Sequence, residues 1–275
     1  LEADLSNDTK LSLALEHSGQ RVRGAAAAVS GYFVTFTDGS PTPFGRRDNA
    51  ATDWSRSDIR RSGAMLSLEH HFSADWRTRL SYDRRKVTSS AYGGVAFLPE
   101  PDGMAGLSSF SSGIQNNVDI LDARLDGRFH LWGRRHELAA GFNRSASRIT
   151  MERGSYRADH DSVQTLDWAG RYAEPDWSAV ETAPVDETRG RQSAFWLASR
   201  LRPTDALAAI LGIRRSDWAH RVTDLQTGDA YDNRKERNVI IPYVGVVYEL
   251  TPQFSAYASY TDIFNPQSRK DVSNR

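Results

Sequence analysis

Hydrophobic and polar residues alternate one by one along much of this chain, most clearly at residues 118–132. One set of alternate positions is apolar: Leu121, Ala123, Leu125, Gly127, Phe129 and Leu131. The intervening set is polar: Asp122, Arg124, Asp126, Arg128 and His130. A repeat of two residues places these sets on opposite faces of a β-strand, whereas a helix repeats every 3.6 residues. The pattern therefore predicts a strand with one apolar and one charged face, longer than a soluble two-layer fold needs.

The same alternation predicts further strands at residues 9–17, 59–72, 76–83, 138–143, 192–201, 207–214, 239–250 and 254–261, with the end of another strand at 1–5. Turn-forming residues separate these strands in pairs, near Ser6, Ser73, Gly133, Pro203 and Thr251. Together they predict about nine to ten antiparallel strands joined as hairpins.

The connections at the other end of each hairpin are much longer. Residues 18–57, 89–116, 149–187 and 221–237 lack clear alternation and are predicted as loops. Soluble domains rarely carry several structureless loops of this length. Outer-membrane barrels combine such extracellular loops with short periplasmic turns and an aromatic girdle. The sequence thus predicts an all-β fold, part of an antiparallel up-and-down transmembrane β-barrel, with a soluble sandwich or barrel as the alternative.

Composition narrows the possible partners. The formal net charge is +0 and no basic run is present, so a nucleic-acid partner is not expected. The chain has no cysteine, which excludes disulfides and thiolate metal sites. No apolar run is long enough for a transmembrane helix, but a barrel hides its apolar band by alternation.

Catalytic and metal-binding patterns are weak. The chain contains no nucleophile elbow, phosphate-binding loop or zinc-protease helix. His70 and His71 are adjacent on a predicted strand and so point to opposite faces, which makes a poor chelating pair. The acidic and histidine cluster at residues 159–161 lies in a long loop and is expected to be solvated. We therefore predict neither an enzyme, nor a metal site, nor a bound cofactor.

Two segments carry a family resemblance. The first is Pro242-Tyr-Val-Gly-Val-Val-Tyr-Glu-Leu-Thr-Pro252, followed by Tyr257-Ala-Ser-Tyr-Thr-Asp-Ile-Phe-Asn-Pro-Gln267. The second lies upstream, at Asp38-Gly-Ser40 and Ala50-Ala-Thr-Asp-Trp-Ser55. Together, in this order, they resemble the barrel of TonB-dependent siderophore receptors of the Gram-negative outer membrane.

The resemblance implies that residues 1–275 are one barrel domain, incomplete at both ends and without the N-terminal plug domain of the family. It also implies that the complete protein takes up a ferric siderophore, the iron chelate being its cargo. The TonB complex would energise uptake through the missing N-terminal region, and outer-membrane lipid would surround the barrel. The alternatives are uptake of another cargo, such as a cobalamin-like or saccharide ligand, and a barrel adhesin or enzyme.

Aromatic residues in the predicted loops are the candidate ligand-binding residues. They are Tyr32, Phe33, Trp54, Trp168, Tyr172 and Trp177. Aromatic side chains offer a large contact area to an amphipathic chelate while losing little entropy. Nearby arginine and lysine residues would neutralise an anionic ferric chelate. The alternative is that these aromatic residues pack the loops or form a girdle.

Overall fold

The computed structural model describes residues 1–24, 34–45, 48–156, 162–167 and 170–266. These residues form a single sheet of 11 strands. The strands are β1 (Glu2–Ser6), β2 (Thr9–Arg23), β3 (Arg56–Ser73), β4 (Trp76–Phe97), β5 (Met104–Leu131), β6 (Arg134–Tyr156), β7 (Ser162–Gln164), β8 (Ala183–Leu201), β9 (Leu207–Asp224), β10 (Ala230–Thr251) and β11 (Phe254–Thr261). All except β7 follow chain order, and β7 pairs with β5.

Every pair of neighbouring strands is antiparallel, so the predicted up-and-down architecture is confirmed. This order places the five predicted short turns at one end of the sheet. Trp132 and Gly133 form the turn between β5 and β6 with positive φ angles of 54° and 70°. The end strands β1 and β11 have one neighbour each, so the sheet does not close and is part of a barrel wall.

The loop boundaries differ from those predicted. Most of residues 89–116 is strand, because β4 and β5 remain paired as far as Phe97 and Gly106. Similarly, β9 and β10 extend into residues 221–237. Beyond the membrane both faces of a strand meet water, so the apolar–polar alternation ends although backbone pairing continues. The prediction followed the alternation and therefore made these loops too long.

The two faces of the sheet differ as the alternation predicts. One face, here called the outward face, exposes large apolar side chains, including Leu13, Leu66, Leu80, Phe195, Leu197, Leu211, Ile213, Val244 and Val246. The opposite, inward face carries charges. There Asp126 lies 3.6 Å from Arg77 and 2.7 Å from Arg124. An exposed apolar face of this extent matches the lipid-facing band of an outer-membrane barrel.

A single curved sheet has no interior, so its buried residues concentrate where loops fold onto the strand ends. Ala96, Ala105 and Val163 form a small hydrophobic cluster of this kind, with Leu107 and Tyr172 packed against it. Among the described residues, no helix is long and apolar enough to cross a membrane. Most of the buried residues thus lie at the long-loop end of the sheet.

Candidate functional site

A loop segment at residues 50–55 docks onto β4 near the long-loop end of the sheet. The Thr52 amide donates to the Gly94 carbonyl at 2.8 Å, and the Ala96 amide donates to the Ala50 carbonyl at 2.9 Å. Thr52 and Ser55 are 0% and 1% exposed, and their hydroxyl groups lie 2.9 Å apart. Backbone and side-chain hydrogen bonds therefore fix this segment on the sheet.

Two glycines allow this close docking. A Cβ atom at Gly94 would lie 2.6 Å from Thr52 Cγ2 and 2.8 Å from Trp54 Cζ2. Gly170 has a φ of +72°, and a Cβ there would lie 2.9 Å from the Asp53 amide nitrogen. The Asp53 amide donates to the Gly170 carbonyl at 2.9 Å. Segments 50–55 and 170–177 are thereby held against each other.

These segments form an aromatic cluster of Trp54, Tyr92 and Trp177. The Trp54 and Trp177 ring centroids are 5.9 Å apart in an edge-on arrangement, and those of Tyr92 and Trp177 are 5.2 Å apart. The Arg56 guanidinium lies 4.4 Å from the Tyr92 ring centroid and pairs with Glu174. Trp177 Nε1 donates to Glu174 Oε1 at 2.9 Å. Strand register places Tyr92 on the outward face, above the apolar band, so the cluster packs loops against the outside of the sheet.

A short 3-10 helix, Trp177–Ala179, orients Trp177 in this cluster. The Asp176 carboxylate accepts hydrogen bonds from the Ser178 hydroxyl at 2.6 Å and from the Ser178 amide at 3.0 Å. These bonds stabilise the charged carboxylate, and they hold the pKa of Asp176 below its usual value.

The inward face holds a second aromatic group, which we call the Trp218 stack and which consists of Trp218, His220, Asp232 and Arg234. The Trp218 and His220 rings are 5.9 Å apart and parallel within 3°. The Arg234 guanidinium lies 5.8 Å from the Trp218 ring centroid. Asp232 accepts two hydrogen bonds from Arg234, at 2.8 and 2.6 Å, and lies 3.7 Å from His220 Nε2.

A bulge in β10 places Asp232 and Arg234 on the inward face beside Trp218 and His220. The register between β9 and β10 shifts between Glu236 and Val239, which reverses the facing of the residues above it. Within the bulge, Asn238 has a φ of 56° and donates its backbone amide to Asp217 Oδ1 at 2.8 Å. Arg234 therefore lies opposite His220, although an uninterrupted strand would turn it outward.

A cavity of about 480 Å³ adjoins the Trp218 stack on the inward face and shares Asp232 with it. Its lining residues are Ile149, Met151, Asp186, Thr188, Val222, Tyr231 and Asp232. The Tyr231 hydroxyl donates to Asp186 Oδ1 at 2.9 Å, and this hydrogen bond raises the pKa of Tyr231. The stack and cavity together offer a flat aromatic surface, apolar walls and oriented charges, which suit an amphipathic ligand.

The structure brings together only some of the six aromatic residues that were predicted to bind the ligand. Trp54 and Trp177 come together in the aromatic cluster, and Tyr172 packs on the neighbouring hydrophobic cluster. Tyr32, Phe33 and Trp168 lie outside the described residues. Sequence reasoning missed Tyr92 and Arg56 in the cluster and the whole Trp218 stack. If the alternation of Gly212 and Arg214 had been extended through Ser216, it would have placed Trp218 on the inward face. Tyr92 could not be assigned in this way, because it lies in a stretch that was predicted as a loop.

Across the described residues, no group of three or more histidine, aspartate or glutamate side chains could hold a metal ion. The Trp218 stack and the cavity offer stacking, hydrogen bonding and charge pairing.

We expect Gly170→Ala to destabilise loop docking more than Gly228→Ala. Both glycines have positive φ, so both substitutions carry a backbone cost of roughly 1–2 kcal/mol. Overpacking against Asp53 adds about 1–3 kcal/mol at Gly170, whereas a Cβ at Gly228 meets nothing within 4 Å. Urea unfolding and limited proteolysis of the complete protein measure the difference. Equal effects from the two variants would contradict tight docking of segment 50–55.

An apolar outward face and a charged inward face define part of the wall of an outer-membrane β-barrel. The TonB dependent receptor-like, beta-barrel family model matches residues 3–274, and the chain belongs to this family. The expectations of family, fold and outer-membrane location are thereby confirmed.

Several relatives match the whole chain. The ferric-pyoverdine 358 receptor of Pseudomonas putida is 30% identical over 284 residues, which cover 100% of this chain and 34% of the relative. The ferripyoverdine receptor of Pseudomonas aeruginosa is 32% identical, again over 100% of this chain and 33% of the relative. The solved pyoverdine outer membrane receptor of Pseudomonas aeruginosa PAO1 bound to pyoverdine superimposes with a TM-score of 0.83 at 29% identity, over 100% of this chain and 39% of that chain. The chain thus spans about a third of the length of these relatives.

Proposed function

We propose that the complete protein is an outer-membrane receptor that binds a ferric siderophore of the pyoverdine type and takes it up with energy from the TonB complex. The observation that carries this proposal is the inward-facing Trp218 stack with its adjoining cavity. The names of the relatives, which are ferric-pyoverdine receptors matched along the whole chain, support the choice of cargo.

The Trp218 stack suits such a cargo in two ways. Trp218 and His220 present parallel rings on which a flat group of the chelate stacks. Arg234 and His220 supply hydrogen-bond donors beside the Asp232 carboxylate, so polar groups of the cargo are oriented rather than merely attracted. Iron arrives inside the cargo, and the protein itself needs no resident cofactor.

Catalysis is not part of this proposal, since the related proteins are receptors by name. The TonB complex contributes through the N-terminal part of the complete protein. Whether the loop residues Trp54, Tyr172 and Trp177 also contact the cargo stays a prediction. The outward position of the Trp54–Trp177 contact favours loop packing as the role of these two residues.

The test is uptake by cells whose only siderophore receptor is the complete protein. We expect energy-dependent uptake of at least one iron-labelled pyoverdine from a panel, lost in cells without TonB. A cobalamin and a maltooligosaccharide serve as control cargoes. Uptake of a control cargo, with no ferric siderophore taken up while the barrel is folded in the membrane, would overturn the siderophore assignment.

A further inference from the structure

A histidine side chain is enclosed at the short-turn end of the sheet, which is the periplasmic end of a barrel of this kind. His136 lies near the start of β6, directly opposite Phe129 on the outward face. Its side chain is 0% exposed. The Phe129 ring centroid lies 5.3 Å from that of His136, and the Trp132 ring centroid lies 6.1 Å away in an edge-on arrangement. A buried titratable group thus sits in the wall, far from the Trp218 stack.

Both ring nitrogens of His136 are hydrogen-bonded to the backbone. Nε2 lies 2.9 Å from the Leu131 carbonyl oxygen, and the Arg202 amide lies 2.9 Å from Nδ1. A carbonyl oxygen can only accept a hydrogen bond, and a backbone amide can only donate one. Nε2 therefore carries the proton and donates to Leu131, while Nδ1 accepts from Arg202. The two partners fix the ring in its neutral form.

These two bonds join two neighbouring periplasmic turns. Leu131 ends β5, directly before the β5–β6 turn, and Arg202 directly follows the end of β8, at the start of the β8–β9 turn. Residues of both turns line a cavity of about 550 Å³ at this rim, among them Gly133, Arg134 and Thr204. The His136 ring therefore holds one turn of the rim against the next.

The charged groups around the ring offer a protonated His136 no free partner on its own face. The titratable and charged side chains on the surrounding elements are Asp75 before β4, Arg128 and His130 on β5, Arg134, Arg135 and Glu137 on β6, Arg200 on β8, and Arg202 and Asp205 in the turn that follows. Asp205 pairs with Arg134, and Asp75 pairs with Arg135. Glu137 is adjacent to His136 on the strand and so faces inward. The Arg134 hydrogen bond holds the pKa of Asp205 below its usual value, so this ion pair keeps its charges where histidine titrates.

We propose that His136 is an acid-sensitive latch, which ties the β5–β6 turn to the β8–β9 turn while its ring is neutral and releases the β8–β9 turn when the ring is protonated. A proton on Nδ1 would face the Arg202 N–H, so two donors would oppose each other and the hydrogen bond would be lost. The open rim binds one proton more than the closed rim. The closed rim is therefore favoured at high pH and is lost as the pH falls through the range of about 8 to 5 in which histidine takes up its proton. The latch acts on the barrel wall and does not depend on the cargo.

The experiment follows hydrogen exchange of the Arg202 amide by mass spectrometry, in the complete receptor folded into lipid vesicles and after correction for the intrinsic effect of pH on exchange. We expect protection of this amide to fall about tenfold between about pH 8 and about pH 5 in the original protein. In His136→Gln the side-chain amide can donate to Leu131 and accept from Arg202 at either pH, so protection should change less than about twofold. His130→Gln is the matched control, since His130 is exposed on the inward face of β5, and it should respond to acid like the original protein.

A second arm needs no variant and so remains decisive if His136→Gln does not fold. Nuclear magnetic resonance of the original protein with ¹⁵N-labelled histidine reports the protonation of the ring directly. We expect the neutral form with its proton on Nε2 at high pH, and protonation of His136 over the same pH range in which Arg202 loses protection. Protonation of His136 without loss of Arg202 protection, loss of that protection while the ring stays neutral, or an equal acid response in His136→Gln and the original protein would each overturn the proposal.

Discussion

Replacing Leu125 with arginine is expected to destabilise the complete barrel by about 2–4 kcal/mol. Leu125 lies on the outward face between Thr78 and Ala140, in a row that continues to Leu197. Lipid covers this row, and the guanidinium of an arginine there loses its hydration without gaining a partner. Equilibrium unfolding in urea, with the complete receptor folded into lipid vesicles, measures the change in unfolding free energy.

The control places the same arginine on the inward face. Asn143 lies opposite the inward Asp122, so Asn143→Arg gains a carboxylate neighbour and is expected to change stability little. Leu125→Ala separates the lost apolar contact from the added charge. If Asn143→Arg were the costly substitution and Leu125→Arg the harmless one, the assignment of the two faces would be reversed.

The lipid-facing part of the fold was predictable because the membrane imposes a period of two on it. Alternation located β5 and its charged face, and turn chemistry located the hairpin at Gly133. Alternation could not show how far β4 and β5 continue, because above the membrane both faces meet water. The Gly- and Ser-rich residues near Gly113 form a regular strand, although their apolar residues do not alternate with polar ones.

The candidate binding residues were harder to predict, because their grouping depends on register and not on composition. The aromatic content of the loops indicated Trp54 and Trp177, and these rings do meet. The Trp218 stack depends on a bulge beside Asn238 that turns Arg234 inward, and nothing in the local pattern of residues predicts that shift. Strand pairing, rather than loop composition, determines which aromatic side chain faces the lumen.

Trp218→Ala is expected to weaken ferric siderophore binding to the complete receptor by about 2 kcal/mol, which is roughly 30-fold in affinity. The substitution removes the ring that lies beside His220 and Arg234, and with it the surface on which we propose that the cargo stacks. The affinity is measured by isothermal titration calorimetry of the purified receptor with ferric pyoverdine. The unfolding free energy is measured in parallel, because the indole also packs within the wall.

Trp177→Ala is the matched control, since it removes the same side chain from the outward aromatic cluster. It is expected to loosen the docking of segments 50–55 and 170–177 while leaving siderophore affinity within about threefold, a change below 1 kcal/mol. Trp218 lies on the inward face of the sheet, whereas Trp177 packs against Trp54 and Tyr92 on the outward face. If Trp177→Ala abolished binding and Trp218→Ala did not, the loop aromatic residues would be the cargo surface and the Trp218 stack a structural element of the wall.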